Sequence, residues 1–230
     1  MFYGYRYYDP TFILLIPAMI FAFYAQTKIS TTFNKFLRVR NTNGYTGYEV
    51  ARRILDANGL NNVPIEMVRG NLTDHYDPRN RVLRLSYNVY NGNSLASAGV
   101  AAHECGHAIQ HSENYAPLML RNAIAPIASF GSQAAWFLIL IALLLNMMEL
   151  FTLGIYFFSA AVLFQIVTLP VEYNASKRAI IALEDYGLVD RGEIYGAKKV
   201  LSAAALTYVA ATVTAVLQLL RLLIIRGRRD

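Results

Sequence analysis

NAIAPIASFGSQAAWFLILIALLLNMM, Asn122 to Met148, runs for 27 residues without Asp, Glu, Lys or Arg, and after Glu149 a further 22 uncharged residues follow, Leu150 to Val171. A bilayer core is crossed by about 20 apolar residues in helix. The pair therefore reads as two spans turning at Asn146-Met-Met-Glu149, an antiparallel transmembrane hairpin. Two more uncharged stretches, Pro10 to Thr27 (18 residues) and Val200 to Leu220 (21), bring the total to 88 of 230 residues. They account for a charged fraction of 16%, against about 25% in soluble domains. A disordered tail and a fully solvated domain are both excluded.

The first stretch reads as a retained anchor. Arg6 gives it a weak basic start, no small-x-small cleavage site precedes Gln26, and Lys28, Lys35, Arg38 and Arg40 follow closely. Phe2, Tyr3, Tyr5, Tyr7 and Tyr8 suit the headgroup belt. The net charge of +6 comes from Lys and Arg dispersed beside the apolar stretches, so no nucleic-acid partner is expected. The single cysteine, Cys105, permits no internal disulfide and fits a reducing compartment.

Between the first two apolar stretches lies a soluble part. Thr46-Gly-Tyr-Glu49 is a capping box and Gly59 a stop signal, which predicts a helix over Gly47 to Asn58 with Val50, Ile54 and Leu55 inward. Ile65 to Val68 and Arg81 to Tyr87 read as strands of a small sheet or hairpin, with turn chemistry at Tyr76-Asp-Pro-Arg-Asn80 between them. A helix from Leu95 to His111 follows, capped by Asn93 or Ser94, and Pro117 closes the region. Farther on, Glu172 to Asp185 reads as a helix stopped by Gly187, and Asp190-Arg-Gly-Glu193 as the start of a long final helix. There is no internal repeat.

Three of the four histidines fall within nine residues, in His103-Glu-Cys-Gly-His107-Ala-Ile-Gln-His111. Helix positions i and i+4 share a face about 6 Å apart, so His103 and His107 can offer two nitrogens to one ion with Glu104 beside its open position. In this HExxH pattern the glutamate takes the proton of a water that attacks a peptide carbonyl. The competing reading is a polar helix face with solvated or core-satisfied histidines. Cys105 faces away and reads as a small packed residue.

His111 lies about 12 Å along the axis from His103, whereas ligands of one zinc stand about 3 to 3.5 Å apart. It is disfavoured as third ligand, and Glu172 is better placed. Two spans separate Glu172 from His107 and return the chain to the starting face, and an acid at the edge of lipid needs a partner. Standing at the start of its expected helix, Glu172 also fits a helix-capping acid held by the dipole.

Leu72-Thr-Asp-His-Tyr-Asp-Pro-Arg-Asn-Arg-Val-Leu-Arg-Leu-Ser86, the HECGHAIQH helix and Pro170-Val-Glu-Tyr-Asn-Ala-Ser176 together resemble the YugP-type neutral zinc metallopeptidases of bacterial membranes, distant relatives of the HtpX-type proteases. The resemblance runs from about Thr11 to Leu220. It implies a gluzincin-like peptidase with one Zn(2+) per chain held by His103, His107 and Glu172, with Glu104 as catalytic base. Many gluzincins carry Asp four residues after the ligand Glu; Ser176 stands there instead, so Ser176 or Asn174 would have to orient a histidine. His75, Tyr76 and Arg178 are candidates, by position or type only, for stabilising the transition state.

The expected fold is a mostly α membrane protein with a small zincin-like α+β catalytic part, a short β-hairpin plus the HExxH helix. Its parts are an anchor over 1–27, the catalytic part over 28–121, the hairpin over 122–171, a ligand-bearing helix over 172–199, and an apolar helix with a basic tail over 200–230. Eleven Lys and Arg between Lys28 and Arg121, and five between Glu172 and Lys199, place these parts in the cytoplasm by the positive-inside rule. The implied location is the bacterial inner membrane. A spanning final helix would put Arg221, Arg226, Arg228 and Arg229 outside, against that rule. Thr207, Thr214, Gln218 and Arg221 share one helical face, which favours a final helix lying along the interface or re-entering. The expected function is peptide-bond hydrolysis at the cytoplasmic membrane face, with a peptide or membrane protein as substrate and a role in membrane-protein quality control. The alternative is a membrane scaffold with a structural zinc site.

Overall fold

Thr46 and Glu49 start the first soluble helix by capping each other. Thr46 Oγ1 accepts from the Glu49 N–H at 3.2 Å, and Glu49 Oε2 accepts from the Thr46 N–H at 2.8 Å. In the computed structural model, which describes residues 10–228, this helix is α2 (Gly47–Ala57), preceded by a 3-10 turn (Pro10–Leu14) and α1 (Leu15–Leu37). Val50, Ile54 and Leu55 are fully buried, and Gly59 ends the segment with a left-handed φ of 72°. The N-terminal aromatic cluster and Arg229 lie outside the described residues.

Three strands follow, β1 (Ile65–Val68), β2 (His75–Asp77) and β3 (Val82–Ser86), in sheet order β1-β3-β2. The first and last, the two segments readable as strands, run parallel with Ile65 opposite Leu83. The hairpin is instead β2 with β3, His75 opposite Arg84 and Asp77 opposite Val82. The strand β2 was hidden inside turn chemistry because three residues are too few to show alternation. The turn itself is real: Asp77 Oδ1 accepts from the N–H groups of Arg79 (3.0 Å) and Asn80 (3.2 Å), and Arg81 takes a positive φ of 51°.

A single helical turn, α3 (Tyr87–Tyr90), leads to α4 (Leu95–Ser112). Of the two candidate caps Ser94 is the one used, its Oγ accepting from the Ser97 N–H at 3.0 Å. Small residues let α4 be buried along most of its length.

The hairpin helices are α5 (Ala116–Leu145) and α6 (Met148–Asp185). Pro117 does not close the preceding region; it stands in the first turn of α5, where a missing N–H costs nothing. Asn146 makes the turn with φ 53°. Gly131 and Gly154 let the two helices approach, since a Cβ at Gly131 would meet the Phe157 carbonyl oxygen at 2.9 Å and one at Gly154 the Ile139 side chain at 2.7 Å. The helix expected to begin at Glu172 is the continuation of α6 through Pro170. Proline removes one backbone bond, and helices long enough to cross a membrane tolerate this where neighbours re-satisfy the freed group. Glu172 therefore sits in a helix interior, and no N-terminal dipole accounts for it.

Gly187 (φ 58°) stops α6 two residues past its end. Glu193 Oε2 accepts from the Asp190 N–H at 3.1 Å, starting α7 (Ile194–Gly227). Among the described residues four helices are long and apolar enough to cross a membrane: Pro10–Leu37, Ala116–Leu145, Met148–Asp185 and Ile194–Gly227. The last qualifies by length and composition as fully as the other three.

The chain forms two compact units. One holds residues 10–24, 123–166 and 210–228, with Ala135, Ile139, Phe151, Ile155 and Leu222 in its core and an outer face of residues such as Leu144 (75% exposed) and Phe137 (69%). A face this apolar suits lipid. The other unit, Ala25–Asn122 with Val167–Val209, is built on Ile54, Leu55, Leu83, Leu85, Ala102 and Leu183 and carries the site.

Candidate metal centre

His103 and His107 project from one face of α4, one turn apart, with ring centroids 4.8 Å apart and planes at 84°. The second unit brings Glu172 of α6 against them. Its Oε2 lies 3.3 Å from His103 Nε2 and 3.5 Å from His107 Nε2, and one ligand atom from each of the three residues falls within 4.8 Å of the others. The approach is made possible by Gly106, where a Cβ would stand 2.6 Å from the Ala175 carbonyl oxygen. Glycine in HECGH is thus a packing requirement of the helix pair.

The neighbours fix which ring nitrogens face inward. Gln110 donates its two amide hydrogens to Val171 O and Asn174 Oδ1, both at 2.9 Å. Its Oε1 is left to accept from His107 Nδ1 at 3.0 Å, so Nε2 presents a lone pair. Asn174 is held in turn by Arg178 Nε (2.8 Å), and Arg178 is anchored on Glu113 (2.6 Å). On the other histidine, Ser176 Oγ lies 3.2 Å from His103 Nδ1.

Glu172 Oε2 is buried and has no hydrogen-bond donor, while two imidazole nitrogens face it. A buried carboxylate oxygen facing two imidazole nitrogens calls for positive charge between them, a proton or a metal ion. Burial opposes a charge on His107, yet Glu172 and Glu104 outweigh burial and raise its pKa above the usual histidine value. The pocket demands positive charge, and a donor set of two imidazoles and a carboxylate fits a zinc ion.

Glu104, 8% exposed, opens onto a cavity of about 290 Å³, where its Oε2 accepts from the Tyr76 N–H at 2.9 Å. The edge strand β2 thereby sets the carboxylate. Two residues that motif reading did not single out line the same cavity. Tyr208 of α7 donates its hydroxyl to Glu172. Asp74 accepts from Ser86 N–H (2.6 Å) and Oγ (3.1 Å), and burial raises its carboxyl pKa against those bonds. No fixed spacing links either residue to the HExxH motif. A polar tyrosine in the last apolar stretch was the one available signal for Tyr208.

The remaining candidates stand elsewhere. His111 Nδ1 pairs with the Tyr76 hydroxyl at 2.9 Å and is not among the clustered ligands. His75 is exposed and bonded to Thr73 O at 2.8 Å, outside the residues lining the cavity. Arg178 is spent on Asn174 and Glu113. Cys105 is buried against Ala51 O at 3.5 Å, and burial pushes its thiol pKa up.

The family described as "Putative neutral zinc metallopeptidase" matches residues 11–227. The chain is 51% identical over 212 residues to the "Putative membrane protease YugP" of Bacillus subtilis (strain 168), covering 92% of this chain and 94% of that one. No solved structure matches it.

Proposed function

Because the chain belongs to the neutral zinc metallopeptidase family, we propose that it is an integral-membrane peptidase in which His103, His107 and Glu172 hold one zinc ion and Glu104 is the general base. The observation that carries this reading is the buried, donor-less Glu172 oxygen facing two histidine nitrogens, with Glu104 on the adjoining cavity. Zinc bound there supplies a Lewis acid and a water of lowered pKa.

The chain's own groups divide the rest of the work. Tyr76 N–H occupies one oxygen of Glu104, leaving the other to take a proton from the attacking water and return it to the departing amine. Gln110 and Ser176 hold the two imidazoles in orientation, with Asn174 bracing Gln110, and Tyr208 positions Glu172. A scaffold with a structural zinc would close its site with a fourth protein ligand. Among the described residues the cluster has three, and the next acid faces a cavity.

The substrate is a peptide or a membrane protein. The basic collar argues for a catalytic part on the cytoplasmic face of a bacterial inner membrane, and likeness to HtpX-type proteases for a role in membrane-protein quality control. Metal analysis of the purified protein tests the ligand set. Wild type and Glu104→Gln should each carry about one zinc per chain, and His107→Ala or Glu172→Ala should lose it. Full zinc in both ligand variants would overturn the assignment.

A further inference from the structure

A second cavity, of about 530 Å³, lies away from the metal centre, between the end of α1 and the start of α7. Three lysines line it, Lys28, Lys35 and Lys199, with Thr31, Thr32 and Ser202 and no acidic residue; the Thr31 hydroxyl donates to Thr27 O at 2.8 Å, which leaves those of Thr32 and Ser202. The α1 positions recur at 28, 31, 32 and 35 and the α7 positions at 195, 199, 202 and 206, so one face of each helix forms a wall. Among the described residues none of the three ammonium groups forms an ion pair. Two of them lie over aromatic rings instead, Lys35 over Phe36 at 5.5 Å and Lys199 over Tyr195 at 5.0 Å. Three positive charges without an acidic partner, with the hydroxyls of Thr32 and Ser202, surround one hollow and match a phosphate group.

The position in the chain says which phosphate. Lys28 is the first charge after the uncharged run Pro10 to Thr27, and Lys199 the last before the uncharged run Val200 to Leu220. Both helices thus become apolar at the rim of the hollow, the level at which lipid headgroups lie. Other faces of the same helix segments, through Ile29, Val200, Ala204 and Tyr208, wall the cavity beside Glu104.

We propose that the hollow lined by Lys28, Lys35 and Lys199 binds the phosphate of an anionic phospholipid headgroup. Native mass spectrometry of the full-length, detergent-purified protein titrated with phosphatidylglycerol tests this, with phosphatidylcholine and inorganic phosphate as the other arms. The wild type should retain one phosphatidylglycerol selectively over phosphatidylcholine, undisturbed by inorganic phosphate at equal concentration. The triple variant Lys28→Gln, Lys35→Gln, Lys199→Gln should bind it at least about tenfold more weakly, the scale of two or three lost phosphate contacts. Thr31→Glu, which places one negative charge in the hollow, should do the same with the lysines intact. Arg38→Gln, Arg69→Gln, Arg79→Gln, which removes three charges elsewhere, should bind as wild type. Undiminished binding in the lysine variant, equal retention of phosphatidylcholine, or displacement by inorganic phosphate would each overturn the proposal.

Discussion

Gly106 of α4 and Ala175 of α6 meet backbone to backbone, so closely that a Cβ at position 106 would stand 2.6 Å from the Ala175 carbonyl oxygen. The contact lies between the helix carrying His103 and His107 and the one carrying Glu172. Gly106→Ala must therefore push these two helices apart. It should cost roughly 1–3 kcal/mol of stability, the usual range for overpacking, and weaken zinc binding as well. Gly192→Ala, at a site with open space around it, should change neither. Thermal unfolding in detergent and zinc affinity by chelator competition measure the two effects.

Gln110 is fully buried and makes three hydrogen bonds, one of which sets the His107 ring. Gln110→Met keeps the volume and loses all three, and should weaken zinc binding about 10–100-fold, as loss of a ligand's orienting partner does. Tyr208→Phe removes one hydroxyl from Glu172 and should weaken zinc binding toward the lower end of that range, about tenfold. Retention of wild-type affinity in both would show that neither residue positions a ligand.

Zinc bound only by the folded chain stabilises it by mass action, about 4 kcal/mol at a thousandfold excess over the dissociation constant. Chelation should therefore lower the unfolding temperature of the wild type and leave that of His107→Ala unchanged. Differential scanning fluorimetry with and without chelator checks this.

Asp77 closes the β2–β3 turn, bonding Arg84 and the Asn80 amide at 2.8 Å each. Arg84 first, then Asn80, hold its carboxyl well below the ordinary range. A depressed carboxylate contributes stability above its unfolded value, near pH 4, and loses it as pH falls through the lower folded value. The pair is partly exposed and solvent-screened, so the contribution is small. The advantage of wild type over Asp77→Asn in unfolding temperature should be largest near neutrality and shrink below about pH 4. An advantage that grew on acidification would reverse the assignment.

What the sequence made legible and what it hid follow one physical division. Signals with a fixed period or spacing were readable: the uncharged blocks, the Thr46–Glu49 capping box, the i, i+4 histidine pair, and Glu172 beside it after two apolar stretches. Where one local signal competed with a tertiary one, reading failed. Glu172 reads as the start of a separate helix, yet α6 continues through Pro170 into it. Turn residues at Tyr76 and Asp77 concealed the strand β2, whose Tyr76 N–H sets Glu104. Asp74 and Tyr208 reach the cavity only through tertiary packing, and no fixed spacing to the motif marks such residues.

Glu104 is the proposed base that moves the proton. Its most direct test is the rate at which zinc-loaded Glu104→Gln cleaves casein in detergent or a membrane substrate in vesicles, beside wild type with the same zinc content. Loss of the base should lower cleavage by at least about 10²–10⁴-fold while zinc stays bound. Cleavage by the zinc-loaded variant at the wild-type rate would contradict the peptidase mechanism.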